Sequence, residues 1–205
     1  MKKKIFSILL IMVSFIIQGQ TVKPIEQYFD LIDQDNVYFK DVNNLFDKFL
    51  GEWEATNGLH YVKIKITKSI KVEQGLTNNY RRLMTKKRFF DIIHIDYTYI
   101  YNGTTIYNVT MPYPVLNGKI LSSEIFGYII INNNLTLDLF YNEVTNECNR
   151  DKTGNLKLTY INSVTPQLNW ERTEKQILMP DSFCTGNQID TSPYKIPANL
   201  TFIKL

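Results

Sequence analysis

Cysteine and histidine, the side chains most used in metal sites and nucleophilic catalysis, are nearly absent from this sequence. The 205 residues include two cysteines and two histidines. His60 has no metal-ligand spacing to His94, to a cysteine or to a group of acids. The sequence also lacks a Gly-x-Ser-x-Gly motif and a glycine-rich phosphate loop. These absences argue against a metal centre, a serine nucleophile and a phosphate-binding loop, and we expect no cofactor.

Net charge is also low. The chain has 23 Lys and Arg residues against 20 Asp and Glu residues, and three of the lysines lie in the first four positions. Without residues 1–20, the chain carries 20 basic and 20 acidic side chains and is formally neutral. A neutral protein has little electrostatic attraction for a phosphate backbone, so we expect no nucleic-acid partner.

The amino-terminal segment has the pattern of a secretory signal peptide. Three lysines precede an apolar run from Ile5 to Ile17, and the small residue Gly19 follows. A membrane-spanning helix needs roughly 20 apolar residues, more than this run supplies. We therefore predict a signal peptide over residues 1–20, with no stable membrane span after its cleavage. The mature protein is expected in the periplasm, on the cell surface or in the medium.

Apolar residues at helical spacing begin the mature chain. Ile25, Tyr28 and Ile32 would share one helix face, and a second amphipathic turn follows Asp41, a good capping residue. These patterns predict short helices, and we assign residues 21–49 to an N-terminal helical segment.

From Leu50 onward the apolar period is two, as in strands with one buried face. Tyr97, Tyr99 and Tyr101 share one such face, and Asn102-Gly103 supplies a hairpin turn after them. Eight or nine short strands in meander order predict an all-β domain over residues 50–205. An antiparallel barrel is favoured over a sandwich, because closure removes exposed strand edges. The predicted strands after the first are His60–Thr67, Phe89–Tyr101, Thr104–Val109, Ile120–Ile131, Leu135–Tyr141, Asn155–Ile161, Gln167–Arg172 and Asn199–Leu205.

The stretch from Tyr38 to Trp53, YFKDVNNLFDKFLGEW, resembles the opening signature of a family of exported bacterial proteins, domain of unknown function 6705. The segments Tyr99–Gly103, Leu168–Trp170 and Ile196–Thr201 also fit the pattern of that family. The resemblance runs from about Tyr38 to the carboxyl end. It implies export and a β-rich fold, and it implies no activity.

Gly51-x-Trp53 is similar to the Gly-x-Trp motif of lipocalins. In those barrels a tryptophan closes the barrel floor, often beneath an Arg or Lys from a late strand. The resemblance gives that position to Arg172 or to Lys204. It implies a lipocalin-like barrel of eight or nine strands.

Two pairs of ionisable side chains have a spacing that catalysis could use. His94 and Asp96 lie two apart on one strand face, like a base and the carboxylate that orients it. Glu52 and Glu54 flank Trp53, like a glycosidase pair. In both cases we favour a solvated outer face. We predict no catalytic residue and expect the protein not to be an enzyme.

Two further polar clusters have both a functional and a structural interpretation. Asp41, Asn43, Asn44 and Asp47 suggest calcium, but the spacing lacks the glycine and the final Glu of an EF-hand loop. Capping of the turn before the first strand is the favoured interpretation. The basic segment Arg81–Arg88 is either a patch for an anionic polymer or lipid headgroup or a solvated hairpin loop, and we favour the loop.

Two functions fit this pattern, with a hydrolase as a distant third. The first is binding of a small apolar or amphipathic ligand inside the barrel, between Trp53, Tyr97, Tyr99 and Trp170. Buried tyrosine hydroxyls need partners, which favours a wet cavity. The second is an envelope or surface interaction module with a solid core. An interior cavity of roughly a few hundred Å³ would favour the first, and a filled interior the second.

The two cysteines, Cys148 and Cys184, are predicted to form a disulfide. An even number of cysteines in an oxidising compartment usually means pairing. The bridge would attach the irregular segment between Arg172 and Asn199 to the turn after Tyr141. Two free thiols are the alternative.

Overall fold

The computed structural model describes residues 20–29, 34–73, 87–110, 115–116, 119–120, 125–131, 133, 135–143, 153–175 and 193–205. Within these ranges the chain is all-β, as predicted, and contains no α-helix. None of the helical turns described there is long and apolar enough to cross a membrane. The predicted signal peptide, apart from Gln20, lies outside the described residues, as do Cys148 and Cys184. The strands are β1 (Thr21–Pro24), β2 (Val37–Lys40), β3 (Gly51–Asn57), β4 (His60–Glu73), β5 (Arg88–Tyr101), β6 (Thr104–Val109), β7 (Val115–Leu116), β8 (Lys119–Ile120), β9 (Ile125–Ile131), β10 (Thr136–Asn142), β11 (Thr153–Ile161), β12 (Gln167–Lys175) and β13 (Asn199–Lys204).

Eleven of these strands belong to one mixed sheet, and β7 and β8 pair separately. The hydrogen-bonded order is β1-β2-β5-β4-β3-β13-β12-β11-β10-β9, and β6 pairs with β5. Strands β3 to β5 and β9 to β13 follow one another as antiparallel neighbours, which is the predicted meander. The sheet differs from the predicted antiparallel barrel of eight or nine strands because additional strands join it, two of them in parallel pairings.

Strand β5 connects distant parts of the chain. One of its edges pairs with β4 over nearly the whole strand. The other edge is shared by three partners: β2 at its start, β9 at Ile93 and His94, and β6 at its end. The strand that ends the sheet order, β9, is therefore also hydrogen-bonded to β5.

Gly127 lies where β9 bends between β10 and β5. The register of β9 against β10 shifts here, and glycine inside a strand commonly marks such a bulge. A Cβ atom on Gly127 would lie 2.8 Å from Leu139 Cδ2 and 3.0 Å from the Asp138 carbonyl oxygen. A larger residue would therefore push β9 away from β10.

The prediction of N-terminal helices is wrong for the described residues. Strands β1 and β2 take up four residues each of the segment 21–49, and the helical turns Ile25–Gln27 and Asp47–Phe49 are three-residue 3-10 helices. Phe29, four residues after Ile25, would share the buried face of such a helix, but it is 59% exposed. Short helices nucleate poorly on their own, whereas pairing with β5 buries the β-branched and aromatic residues of β2.

The main core lies on one face of the sheet, and along β5 both faces are buried from Phe90 to Ile95. Along β4, for example, Val62, Ile64 and Ile66 are buried, while the residues between them are more exposed. The largest fully buried side chains are Trp53, Trp170, Tyr97, Tyr141, Phe39, Phe46, Phe49, Phe90, Phe202, Ile64, Ile66 and Ile93.

Candidate functional site

The four predicted ligand-binding residues all lie in the core. Trp53, Tyr97, Tyr99 and Trp170 are between 0 and 2% exposed. Large side chains pack directly against the indoles. The ring of Tyr160 lies 6.5 Å from that of Trp53, and the ring of Tyr141 lies 5.7 Å from that of Trp170. In the structure, these residues are packing groups.

Trp53 lies at the start of β3 beneath Lys204. Its indole Nε1 donates a hydrogen bond to the Phe49 carbonyl oxygen at 2.8 Å, and the Lys204 ammonium lies 5.1 Å from the ring. Of the two cations considered for this position, Lys204 therefore occupies it. Arg172 lies elsewhere in the core.

A buried carboxylate, which the sequence did not single out, lies just after β10. Glu143 is fully buried and accepts four hydrogen bonds. The Tyr141 hydroxyl donates at 3.0 Å, the Tyr107 hydroxyl at 3.3 Å, and the backbone N–H groups of Lys195 and Ile196 at 2.7 and 3.4 Å. Burial, followed by the negative charge of Glu143, raises the pKa of Tyr141 well above its usual range. Glu143 thus holds the chain before β13 against the sheet.

Arg172 holds the same segment from the other side. Its Nη2 donates to the Ile196 carbonyl oxygen at 2.9 Å, and its guanidinium lies 3.9 Å from the Tyr194 ring centre. The Nε and Nη1 groups are buried and have no hydrogen-bond partner among the described residues. The three N–H groups on these two nitrogens of a buried cation therefore have no acceptor among the described residues.

Tyr99 links the core to the end of β4. Its hydroxyl lies 2.8 Å from His60 Nδ1, and the two rings stack. Burial raises the pKa of Tyr99, and the charge of Glu143 raises it further. Tyr101, the last member of the tyrosine row, is 43% exposed.

The solvated outer face expected for His94 is wrong. The imidazole is fully buried, and burial lowers its pKa to about 4. Asp96 is half-buried. His94 is therefore neutral at ordinary pH, because the ring is removed from water.

The remaining acidic candidates are engaged in local contacts. Glu52 accepts from Lys63 Nζ at 2.7 Å, and Glu54 accepts from the Tyr61 hydroxyl at 3.0 Å. Asp41 caps its turn as predicted, accepting from the N–H groups of Leu45 at 2.6 Å and Phe46 at 3.2 Å. Within the described ranges no group of three or more His, Cys, Asp or Glu residues could hold a metal ion.

Only the end of the basic segment Arg81–Arg88 lies within the described residues. Arg88 is buried, and its Nε donates to the Gln34 carbonyl oxygen at 3.4 Å. Lys87 Nζ lies 3.7 Å from a carboxylate oxygen of Glu73. These two cations bind the amino-terminal part of the fold and the end of β4, respectively.

An open groove of about 390 Å³ lies beside β3, β12 and β13. It begins where the β3–β13 ladder stops, because these strands pair only at Trp53 with Lys204 and at Glu54 with Ile203. Trp170 and Leu200 belong to the buried face, whereas most of the other lining residues are exposed. The groove is lined by Thr56, Asn57, Asn169, Trp170, Glu171, Asn199, Leu200 and Thr201.

Comparison with known proteins gives a family and no activity. The family model described as "Family of unknown function (DUF6705)" matches residues 1–205. The chain belongs to this family. No match is found among the curated proteins or among the solved structures.

In this DUF6705 chain, the groove presents accessible polar side chains. Three amides and two hydroxyls line it, Glu171 is its one ionised side chain, and the Thr201 hydroxyl donates to Asn169 Oδ1 at 3.3 Å. Amides and hydroxyls both donate and accept hydrogen bonds, so the lining suits a neutral polar ligand. Strand periodicity identified these residues as parts of strands and could not identify the groove between them.

Proposed function

We propose that this protein is an exported, lipocalin-like β-barrel that binds another molecule at the groove in its wall and catalyses no reaction. The pairing of β9 with β5 supports a ring of eight strands in the order β5-β4-β3-β13-β12-β11-β10-β9. The contact between the Lys204 ammonium and the Trp53 ring supports the resemblance to lipocalins, in which a cation from a late strand lies over the tryptophan at the barrel floor. Export rests on the signal-peptide pattern of residues 1–20.

The burial of the four predicted ligand-binding residues is the observation that carries this proposal. Trp53, Tyr97, Tyr99 and Trp170 were the expected walls of an interior cavity, and each is at most 2% exposed and packed among other side chains. A solid core favours recognition at the surface over an enclosed small ligand. The groove at the β3–β13 split has a volume typical of ligand sites, which span roughly 300–1,000 Å³.

The non-enzymatic part of the proposal rests on how the buried carboxylates are used. Glu143 accepts four hydrogen bonds. Asp91 accepts from the Tyr38 hydroxyl at 2.5 Å and from the backbone N–H groups of Asp41 and Lys71, both at 3.0 Å. The acceptor positions of these carboxylates are occupied by hydrogen bonds from tyrosine hydroxyls and backbone N–H groups of the protein itself. Their evident role is to fix chain segments.

Binding of a small amphipathic ligand in the interior is the second candidate. Arg172 Nε and Nη1 and the indole N–H of Trp170 are buried without hydrogen-bond partners among the described residues. Buried donors usually have partners, so an anionic or polar ligand group could satisfy them.

Native mass spectrometry of the mature protein, purified from the organism that makes it, tests both candidates. The Thr56→Arg variant fills the groove with a long side chain, and Thr105→Arg is its control on an exposed threonine of β6. We expect a bound species on the wild type and on Thr105→Arg, and its loss from Thr56→Arg. Retention on both variants would favour the interior site, and unliganded protein throughout would contradict a binding function.

A further inference from the structure

The groove lies between two strand edges that separate part-way along their length. Leu205 N donates to the Glu52 carbonyl oxygen at 3.0 Å, so residues 52 and 205 form a hydrogen-bonded antiparallel pair. Hydrogen-bonded and non-hydrogen-bonded pairs alternate along such a ladder. Glu54 with Ile203 is therefore the next hydrogen-bonded pair, and Thr56 with Thr201 would follow. The pairing ends before that last pair forms.

Thr56 and Thr201 consequently direct their backbone N–H and C=O groups into the groove. Each strand is already paired on its other side: Thr56 with Tyr61 of β4, and Thr201 with Asn169 of β12. Within the described residues no backbone pairing joins these two threonines. Unpaired backbone groups along a strand edge are a template for another extended chain.

We propose that the groove takes up a short extended peptide, which adds as a strand segment between β3 and β13. This inference rests on the proposed function, which places binding at the groove. An extended peptide offers N–H and C=O groups on both of its edges, because successive residues direct these groups to alternate sides. One peptide residue can therefore hydrogen-bond to Thr56 and the next residue to Thr201. Trp170 and Leu200, at the junction with the core, provide an apolar contact for one side chain of the peptide.

The charge of the lining selects among peptides. Glu171 is the one ionised side chain that lines the groove, and no lysine or arginine does. An acidic peptide would place a second negative charge next to Glu171 in the groove. Repulsion between the two carboxylates would make that binding unfavourable. The peptide bound is therefore neutral or basic at the residue next to Glu171.

Amide hydrogen exchange of the full mature protein, with NMR detection, tests the proposal without any substitution. The probe is a synthetic peptide copy of residues 199–205, blocked at both ends, because this sequence already pairs with β3 where the ladder is closed. In the free protein the amides of Thr56 and Thr201 should exchange at least 10²-fold faster than that of Ile203. Peptide at about 1 mM should slow both at least tenfold. Slow exchange before peptide is added, or no slowing after it, would overturn the proposal.

A matched pair of variants separates backbone pairing from side-chain recognition. Thr201→Pro removes the N–H that faces the groove and should weaken peptide binding at least tenfold, since proline is tolerated on a strand edge whose N–H is unpaired. Thr201→Val keeps the N–H and should stay within about twofold. If Thr201→Pro does not fold, Thr56→Pro removes the corresponding N–H on β3. Equal binding by the proline and valine variants would overturn strand addition.

These outcomes are separable from the fate of the proposed function. If Thr56→Arg loses its native bound species while the peptide protects neither amide, the groove binds a different class of molecule, such as a neutral oligosaccharide, and strand addition is wrong. If Thr56→Arg keeps its native bound species, binding at the groove is itself wrong. Loss of that species together with peptide protection of both amides supports both statements.

Discussion

At the scale of single residues, Glu143 is a buried carboxylate that accepts four hydrogen bonds. Four donors surround a fully buried carboxylate, and two of them belong to the backbone of the segment before β13. Hydrogen bonds to a charged group contribute about 1.5–3 kcal/mol each, and leaving a buried donor unpaired is costly. The carboxylate therefore links the end of β10 to the last part of the chain.

Glu143→Gln should lower the free energy of unfolding by about 2–4 kcal/mol, because an amide nitrogen cannot accept from the donors it would face. Glu171→Gln is the matched control, since Glu171 is exposed on β12, and it should change stability by at most about 0.5 kcal/mol. Urea denaturation of both variants measures the difference. Equal effects would show that Glu143 is not an anchoring group.

His94 predicts how stability responds to acid. Its pKa is lowered to about 4 in the folded protein by burial, against about 6.5 when unfolded. The unfolded chain therefore binds a proton between these values that the folded protein does not. Stability should be unaffected by this group above about pH 6.5 and should fall by up to about 3 kcal/mol as the pH drops to 4.

The His94 contribution is measured as the difference between wild type and His94→Gln in denaturant titrations at several pH values. The variant should lose less stability than the wild type between pH 6.5 and 4. Thr105→Gln, at an exposed threonine of β6, should keep the same loss of stability with falling pH as the wild type. Parallel curves for wild type and His94→Gln would mean that His94 is accessible to solvent.

At the scale of elements, the sequence predicted strands where side-chain alternation is strong. Residues Phe89–Tyr101 were predicted for a strand that spans Arg88–Tyr101, and Asn155–Ile161 for one that spans Thr153–Ile161. Strand β2 was missed, because its parallel pairing with β5 is a long-range interaction that leaves no local period. The sequence could not predict the separation of β3 and β13 either. Side-chain alternation continues through Thr56 and Thr201 whether or not these residues pair.

The disulfide between Cys148 and Cys184 stays a prediction at this scale, and the flanking residues add to its support. Asn142 of β10 and Lys175 of β12 both pair with Thr153 of β11. At the same end of these strands, Glu143 accepts a hydrogen bond from the backbone N–H of Lys195. The two cysteine-containing segments therefore begin and end at the same place. Closing a loop of about 35 residues should stabilise the fold by roughly 3–4 kcal/mol.

Intact-mass measurement of the exported protein after alkylation, with and without reductant, decides the disulfide. We expect no alkylated cysteine before reduction and two after it. Two alkylated cysteines without reductant would mean that both thiols are free.

At the scale of the whole molecule, the central distinction is between a solid core and a hollow one. Trp170 is 1% exposed and packs against Tyr141 and Phe202, so its indole is in contact with other core side chains. The alternation along β12 correctly predicted that Trp170 faces inward. It could not predict whether the inward-facing side chains meet, because that depends on how all the strands pack together.

Trp170→Ala tests the solid core directly. Removing a large buried aromatic side chain should lower the free energy of unfolding by about 3–5 kcal/mol and leave a cavity. Apolar cavities of this kind bind small aromatic molecules, so added indole should raise the melting temperature of Trp170→Ala and leave that of the wild type unchanged. Thermal unfolding of both proteins with increasing indole makes the measurement. An equal rise in the wild type would reveal an existing interior cavity, and binding of a small ligand between Trp53, Tyr97, Tyr99 and Trp170 would then become the better account of this protein.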